Sequence, residues 1–156
     1  MKAETRKLLS QVVAYLSPTE NDRAANINVI AAEIEGAEGD VIVPMGTPVA
    51  ATATGFKVYN GSISGEYVDP VSGKAYKAGI IIGDRRGTGF NSHDIVLPTG
   101  GKDVFTILVN GEAGVIYDGV DFDGQAEDPF KKQMANQGVL GVAQAPTAET
   151  TYLHGH

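Results

Sequence analysis

The chain is rich in side chains that branch at Cβ. Valine and isoleucine together number 27 of the 156 residues, against only 7 leucines. Branching at Cβ favours the pleated strand, whereas leucine is a common residue of helices. Three of the leucines, Leu8, Leu9 and Leu16, lie within the first sixteen residues. The composition therefore predicts a mainly β protein with a helical exception at the N-terminus.

Short β-type runs follow one another along most of the chain, with Gly, Pro, Asn or Asp between most of them. They occupy residues 47–53, 56–60, 62–68, 75–83, 94–97, 103–109, 112–117 and 138–143. Ile27–Glu35 also fits a strand, although its Ala-Ala pair leaves a helix open, and Pro129–Gln137 fits a short helix that ends at Gly138. Many short strands with frequent turn residues are typical of a sandwich or barrel. The predicted fold is a small β-sandwich or barrel-like (β-tulip-like) domain with a short N-terminal helix and an extended arm.

An Asn-Gly pair gives the strongest local prediction, a β-hairpin. Val104–Val109 runs into Asn110-Gly111, and Glu112–Tyr117 follows. Asn-Gly is favoured where two consecutive residues need positive φ, as in a type I′ turn. We therefore expect the two runs to pair with each other.

The N-terminal segment is the candidate for a contact with another chain. Its apolar residues recur at helical spacing over residues 4–16, and the Ser17-Pro18 step ends the helix. A helix this short needs packing, either on its own domain or on another subunit. The residues predicted to make the contact are Leu8, Leu9, Val12, Val13 and Leu16. The predicted domains are residues 1–39 (helix and linker arm), 40–144 (β-rich domain) and 145–156 (flexible tail).

Composition excludes several classes of function. The chain has no Cys, so a disulfide framework, an iron–sulfur cluster, a cysteine nucleophile and a thiolate zinc site are impossible. Its net charge is −7 without a basic run, which argues against a nucleic-acid partner. No run of residues approaches the ~18 apolar positions of a membrane span, and the start lacks the apolar core of a signal peptide. We expect neither a nucleic-acid nor a membrane partner.

Two motifs resemble catalytic or phosphate-binding sequences without meeting their requirements. Ser92-His93-Asp94 contains the residue types of a hydrolase triad, but neighbouring side chains in an extended segment point to opposite faces. Gly83–Gly89 follows an apolar strand and holds two arginines, yet it lacks the P-loop lysine and a following helix. We interpret the first as a polar turn that leads into residues 94–97 and the second as a mobile surface loop, and we predict no catalytic residue and no cofactor.

Acidic residues are concentrated in two segments. Residues 33–40 carry four acids and residues 118–128 carry five. Asp121 and Asp123 give the alternating oxygens of a calcium loop, but the rest of an EF-hand pattern is missing. A solvated acidic loop is the default interpretation and an irregular cation site the alternative, and no metal ligand is predicted.

The order of features in the core resembles the capsid decoration, or cement, proteins of tailed bacteriophages. The segments that carry the resemblance are Val41–Val49, Phe56–Tyr59, Ala75–Ile82 and Val104–Glu112, within residues 40–117. The resemblance implies a β-rich domain, commonly trimeric, on the outer capsid surface, with an N-terminal arm against the coat protein. The chain would be made in the host cytoplasm and would act in the virion as a structural protein, not an enzyme.

The functional prediction is therefore a protein that binds the outer capsid and stabilises contacts between major coat subunits, with the major capsid protein as its partner. The alternative is a carbohydrate-binding β module. Its stacking platform would come from the rings at Phe56, Tyr59, Tyr67, Tyr76 and Phe90.

Overall fold

The computed structural model describes residues 13–14, 27–83, 94–111 and 114–142. The strands are β1 (Val13–Ala14), β2 (Ile27–Glu35), β3 (Val41–Ile42), β4 (Thr47–Ala51), β5 (Phe56–Val58), β6 (Tyr67–Val68), β7 (Ala75–Tyr76), β8 (Ala78–Ile81), β9 (Ile95–Val96), β10 (Lys102–Gly111), β11 (Gly114–Ile116) and β12 (Gly141–Val142). A 3₁₀ turn covers Tyr117–Gly119, and helix α1 covers Asp128–Asn136. The prediction of a mainly β fold is confirmed.

Five strands close into a barrel in the order β10-β2-β5-β4-β8. The two long strands β2 and β10 pair antiparallel from Lys102 opposite Glu35 to Gly111 opposite Ile27, with an irregularity between Leu108 and Asn110. β5 pairs parallel with the end of β2, and β8 closes the barrel against β10. Closure leaves the barrel strands without a free edge, which removes the template for unwanted pairing.

The barrel interior is filled by aliphatic and aromatic side chains. Ile34, Phe56, Ile81, Phe105 and Ile107 are each fully buried in one cluster. Period-2 alternation along each strand produces this inward set, because successive side chains point to opposite faces. Gly79 lies where β8 approaches β10, and a β-carbon there would overlap Ile107 Cγ2. A glycine at this position therefore allows the two strands to approach.

A second core lies on the outer face of the barrel. Ala50, Ile80 and Leu108 point outward from β4, β8 and β10, and Phe130 and Met134 of α1 lie in the same buried cluster. The predicted helix at 129–137 is confirmed with a shift of one residue at each end. It begins with Pro129 in its first turn and ends before Gly138, whose φ is 92°. The helix thus buries a face of the barrel that would otherwise contact water.

The predicted Asn110-Gly111 hairpin is wrong. Asn110 and Gly111 continue β10 and pair with Asn28 and Ile27 of β2, so they form no turn. β11 pairs instead with β1 on one side and β12 on the other. The nine-residue β2 offers a partner along the whole length of β10, and this non-local ladder outweighs the local turn preference of Asn-Gly.

The N-terminal helix is wrong at the two positions where the structure describes it. Val13 and Ala14 form β1 and pair antiparallel with Val115 and Gly114. An edge strand offers unpaired main-chain groups, and a β-branched valine suits such an edge. The other residues of the predicted helix, Leu8, Leu9, Val12 and Leu16 among them, lie outside the described residues.

β2 belongs to the barrel, so residues 27–35 are part of the β-rich body although the sequence places its start at residue 40.

Candidate contact site

The β6–β7 hairpin projects an apolar tip into solvent. Val68 is 54% exposed and Val71 is 92% exposed. Pro70 and Ala75 beside them are exposed as well, and Val68 lies directly opposite Ala75. We call Val68, Pro70, Val71 and Ala75 the hairpin tip. Single exposed valines are common, whereas a group of apolar residues at one projection is characteristic of an interaction surface.

The turn that carries the hairpin tip is held by a buried aspartate. Asp69 is 6% exposed, and its Oδ2 accepts hydrogen bonds from Ser72 N at 3.1 Å and Ser72 Oγ at 2.9 Å. Its backbone N–H donates to Lys74 O and its carbonyl accepts from Gly73 N, both at 2.8 Å. These four hydrogen bonds hold the turn in one conformation, and the apolar side chains of the hairpin tip are exposed on it.

Two tyrosines anchor the base of the hairpin to the barrel. Tyr67 and Tyr76 lie opposite each other, and both pack on the barrel-interior cluster. The ring of Tyr67 lies 5.3 Å from that of Phe56, measured between centroids. Burial, and next the charges of Asp69 and Glu33, raise the pKa of Tyr67 above its usual value. The phenol therefore stays neutral at physiological pH.

A second exposed apolar pair lies on the β3–β9 ladder. Val41 and Val96 are directly opposite each other and are each 59% exposed, while Ile42 on the other face is buried. Among the described residues, β3 and β9 pair only with each other. Asp40 and Asp94 precede these strands and are exposed. Within the described part of the chain, the ladder therefore offers two exposed valines, two outer strand edges without a further strand, and an acidic rim.

The acidic segment 118–128, which we call the acidic cover, packs on the second core at the outer face of the barrel. Val120 and Phe122 are buried in the cluster that contains Phe130, while the acids between and after them are exposed. The carboxylate of Asp121 accepts a hydrogen bond from Asp123 N at 3.0 Å. Within the described residues, no group of three or more His, Asp or Glu side chains could hold a metal ion. The alternation of Val120 and Phe122 with acids was the signal in the sequence for a half-buried segment.

The remaining predicted sites are placed as follows. Asp94 is exposed at the start of β9, whereas Ser92 and His93 lie outside the described residues. Gly83 is buried, and residues 84–89 lie outside them as well. Of the five rings considered for a sugar platform, Phe56, Tyr59 and Tyr76 are buried in the two cores and Tyr67 is half-buried, while Phe90 is outside. The three buried rings cannot stack on a sugar from solvent.

Sequence reasoning missed the hairpin tip. Val68-Asp69-Pro70-Val71-Ser72-Gly73 has the turn residues of a tight connection, with an aspartate whose side chain can bind its own backbone. This pattern was the available signal, but exposure of the two valines depends on how the tyrosines seat the hairpin.

Among the described helices, none is long and apolar enough to span a membrane.

Comparisons of this chain with protein-family models, with curated proteins and with solved structures find no significant match.

Proposed function

We propose that this chain is a structural virion protein that binds the outer surface of a tailed-bacteriophage capsid and stabilises contacts between major coat subunits. The observation that carries the proposal is the hairpin tip, with Val71 92% exposed on a turn fixed by Asp69. Binding loses less entropy when the contact residues are already held in place. A rigid apolar projection is therefore suited to an apolar pocket on a coat subunit.

The β3–β9 ladder supports the same proposal. Exposed valines with an acidic rim favour a partner surface that combines apolar side chains with Lys or Arg. The free edges of β3 and β9 could also add a strand from the partner. In this proposal the chain acts by contact and not by catalysis. It is a homotrimer that multiplies weak contacts by avidity, and it moves from the host cytoplasm to the capsid surface.

Co-sedimentation tests the proposal. The purified full chain is mixed with empty shells of its cognate phage and pelleted, and we expect it to pellet with the shells. Val71→Asp should abolish binding, because a charge at the tip cannot enter an apolar pocket. Val29→Asp, at another exposed valine (42% exposed), is the matched control and should bind as the parent does.

The test gives a clear negative as well. Failure of the parent chain to pellet with cognate shells would refute capsid binding. Equal binding by the parent and Val71→Asp would show that the hairpin tip is not the contact. Sedimentation velocity of the free chain measures the oligomeric state, and a monomer would contradict the trimer.

A further inference from the structure

The chain contains two Asn-Gly dipeptides in very different settings. They are Asn60-Gly61, after β5, and Asn110-Gly111, within β10. In an Asn-Gly pair the backbone nitrogen of glycine can attack the side-chain amide carbon of asparagine, because no Cβ hinders the approach. The same chemistry is therefore available at both positions, and the fold decides where it proceeds.

Asn60 lies in an irregular, exposed segment. Gly61 follows with a φ of 104°, a conformation that L side chains rarely adopt. Asn110, by contrast, is half-buried and held in the ladder with β2. A β-carbon built on Gly138 would lie 3.2 Å from Asn110 Oδ1, so that side chain is also confined by the end of α1. Asn60 is therefore less confined than Asn110 and reaches the attack geometry more readily.

Two donors point at the amide oxygen of Asn60. Ser62 N and Ser62 Oγ each donate a hydrogen bond to Asn60 Oδ1 at 3.3 Å. When a nucleophile attacks the amide carbon, negative charge develops on this oxygen, and donors aimed at it stabilise the transition state. Ser62 thus provides the arrangement of a small oxyanion hole next to the reactive amide.

We propose that Asn60 is a site of spontaneous self-modification, in which Gly61 N displaces the side-chain amide nitrogen Nδ2 and Ser62 stabilises the oxyanion. The Gly61 N–Asn60 Cγ bond forms and the Cγ–Nδ2 bond breaks. Nδ2 leaves as ammonia with the proton that Gly61 N loses. Water then opens the resulting succinimide at either carbonyl, giving aspartate or isoaspartate at position 60.

The modification changes a contact with the acidic cover. Tyr59 Oη donates to Ala126 O at 2.7 Å, and a β-carbon on Gly61 would lie 3.1 Å from Gln125 Oε1. Residues 59–61 therefore pack against the segment that carries Asp121, Asp123 and Glu127. A new carboxylate adds like charge beside this segment, and isoaspartate also lengthens the backbone between residues 60 and 61. The modified chain should protect the amides of residues 120–126 from hydrogen exchange less well than the unmodified chain.

Peptide mapping by mass spectrometry tests the proposal on the full chain incubated in mildly alkaline buffer. The mass gain from replacement of –NH₂ by –OH is followed at both dipeptides in one digest. We expect Asn60 to react about tenfold faster than Asn110, a difference equivalent to ~1.4 kcal/mol of activation free energy. In urea, where the fold is lost, the two rates should converge.

Ser62→Ala tests the oxyanion donor, and Ser64→Ala is the matched control at another exposed serine of the same segment. Ser62→Ala should slow the reaction at Asn60 several-fold, and Ser64→Ala should leave it unchanged. Asn110 reacting as fast as Asn60 in the folded chain would overturn the proposal. An unchanged rate in Ser62→Ala would overturn the role of Ser62.

Discussion

The side chain of Gln137 links helix α1 to two barrel strands. Its Oε1 accepts hydrogen bonds from Lys77 N at 3.0 Å and Ala78 N at 3.1 Å. Its Nε2 donates to Ala78 O at 2.9 Å and Val109 O at 2.8 Å. The direct pairing of β8 with β10 covers Ile80–Ile81 and Ile107–Leu108. The amide of Gln137 therefore bridges the two strands just beyond that pairing.

The cost of Gln137→Ala follows from these bonds. Three of the four backbone bonds are part-buried, and each contributes about 1 kcal/mol net, which gives a loss of about 3 kcal/mol. The fourth bond, to Lys77 N, is exposed, so water replaces it. Gln137 follows the last residue of α1, and alanine and glutamine differ little in helix propensity, so the substitution has little effect on the helix itself. The expected fall in Tm is about 10 °C.

Urea denaturation monitored by circular dichroism measures this loss. Gln133→Ala in helix α1 is the matched control, because within the described part of the chain Gln133 Nε2 donates to Gln137 Oε1 alone, at 3.0 Å. It should cost about 1 kcal/mol or less. A loss below about 1 kcal/mol for Gln137→Ala, or equal losses for the two variants, would refute the bridging role.

Gln137→Glu separates hydrogen bonding from shape. A carboxylate retains the acceptors but faces the carbonyl oxygens of Ala78 and Val109 without a donor, so burial favours its neutral form. The free energy of unfolding of Gln137→Glu should therefore increase relative to that of the parent as the pH falls, and decrease as the pH rises. A pH-independent difference between the two proteins would contradict the assignment of Nε2 as a donor.

Three further predictions concern buried groups. Thr106→Val should stabilise the chain by about 1 kcal/mol, because Thr106 Oγ1 is buried without a hydrogen-bond partner in the described structure; denaturant unfolding that shows destabilisation would contradict this. Gly79→Ala should cost about 3 kcal/mol, because the new methyl group collides with Ile107, and a near-neutral result would contradict the close approach of β8 and β10. Burial raises the pKa of Tyr117 above its value in the unfolded chain. The neutral phenol therefore contributes fully to the free energy of unfolding below the ordinary phenol pKa of about 10, and this contribution is lost as the pH rises above it. Tyr117→Phe should therefore flatten the alkaline fall in Tm, and an unchanged slope would contradict this.

Local sequence patterns were sufficient to predict most of the strands and helix α1. The predictions over residues 27–35, 47–53 and 103–109 rest on β-branched residues, whose preference for strands is a property of the residue itself. Helix α1 was predictable because the fixed φ of Pro129 suits the first turn of a helix, and because Gly138 readily adopts the positive φ that ends one. Its packing on the barrel was not predictable, since no local pattern states which barrel face lacks a cover.

The sequence by itself determined a mainly β chain with no thiol chemistry and with nine of its nineteen acids in two segments, because these properties belong to residues and their immediate neighbours. Only the tertiary structure decided that Asn110-Gly111 is strand and that Val13-Ala14 pairs with β11, because pairing partners lie far apart along the chain. It also decided that segment 118–128 covers a core and that the valines of the hairpin tip face water. Such outcomes depend on contacts between segments that lie far apart along the chain, in the barrel and in the smaller sheets beside it, and no short window of sequence contains them.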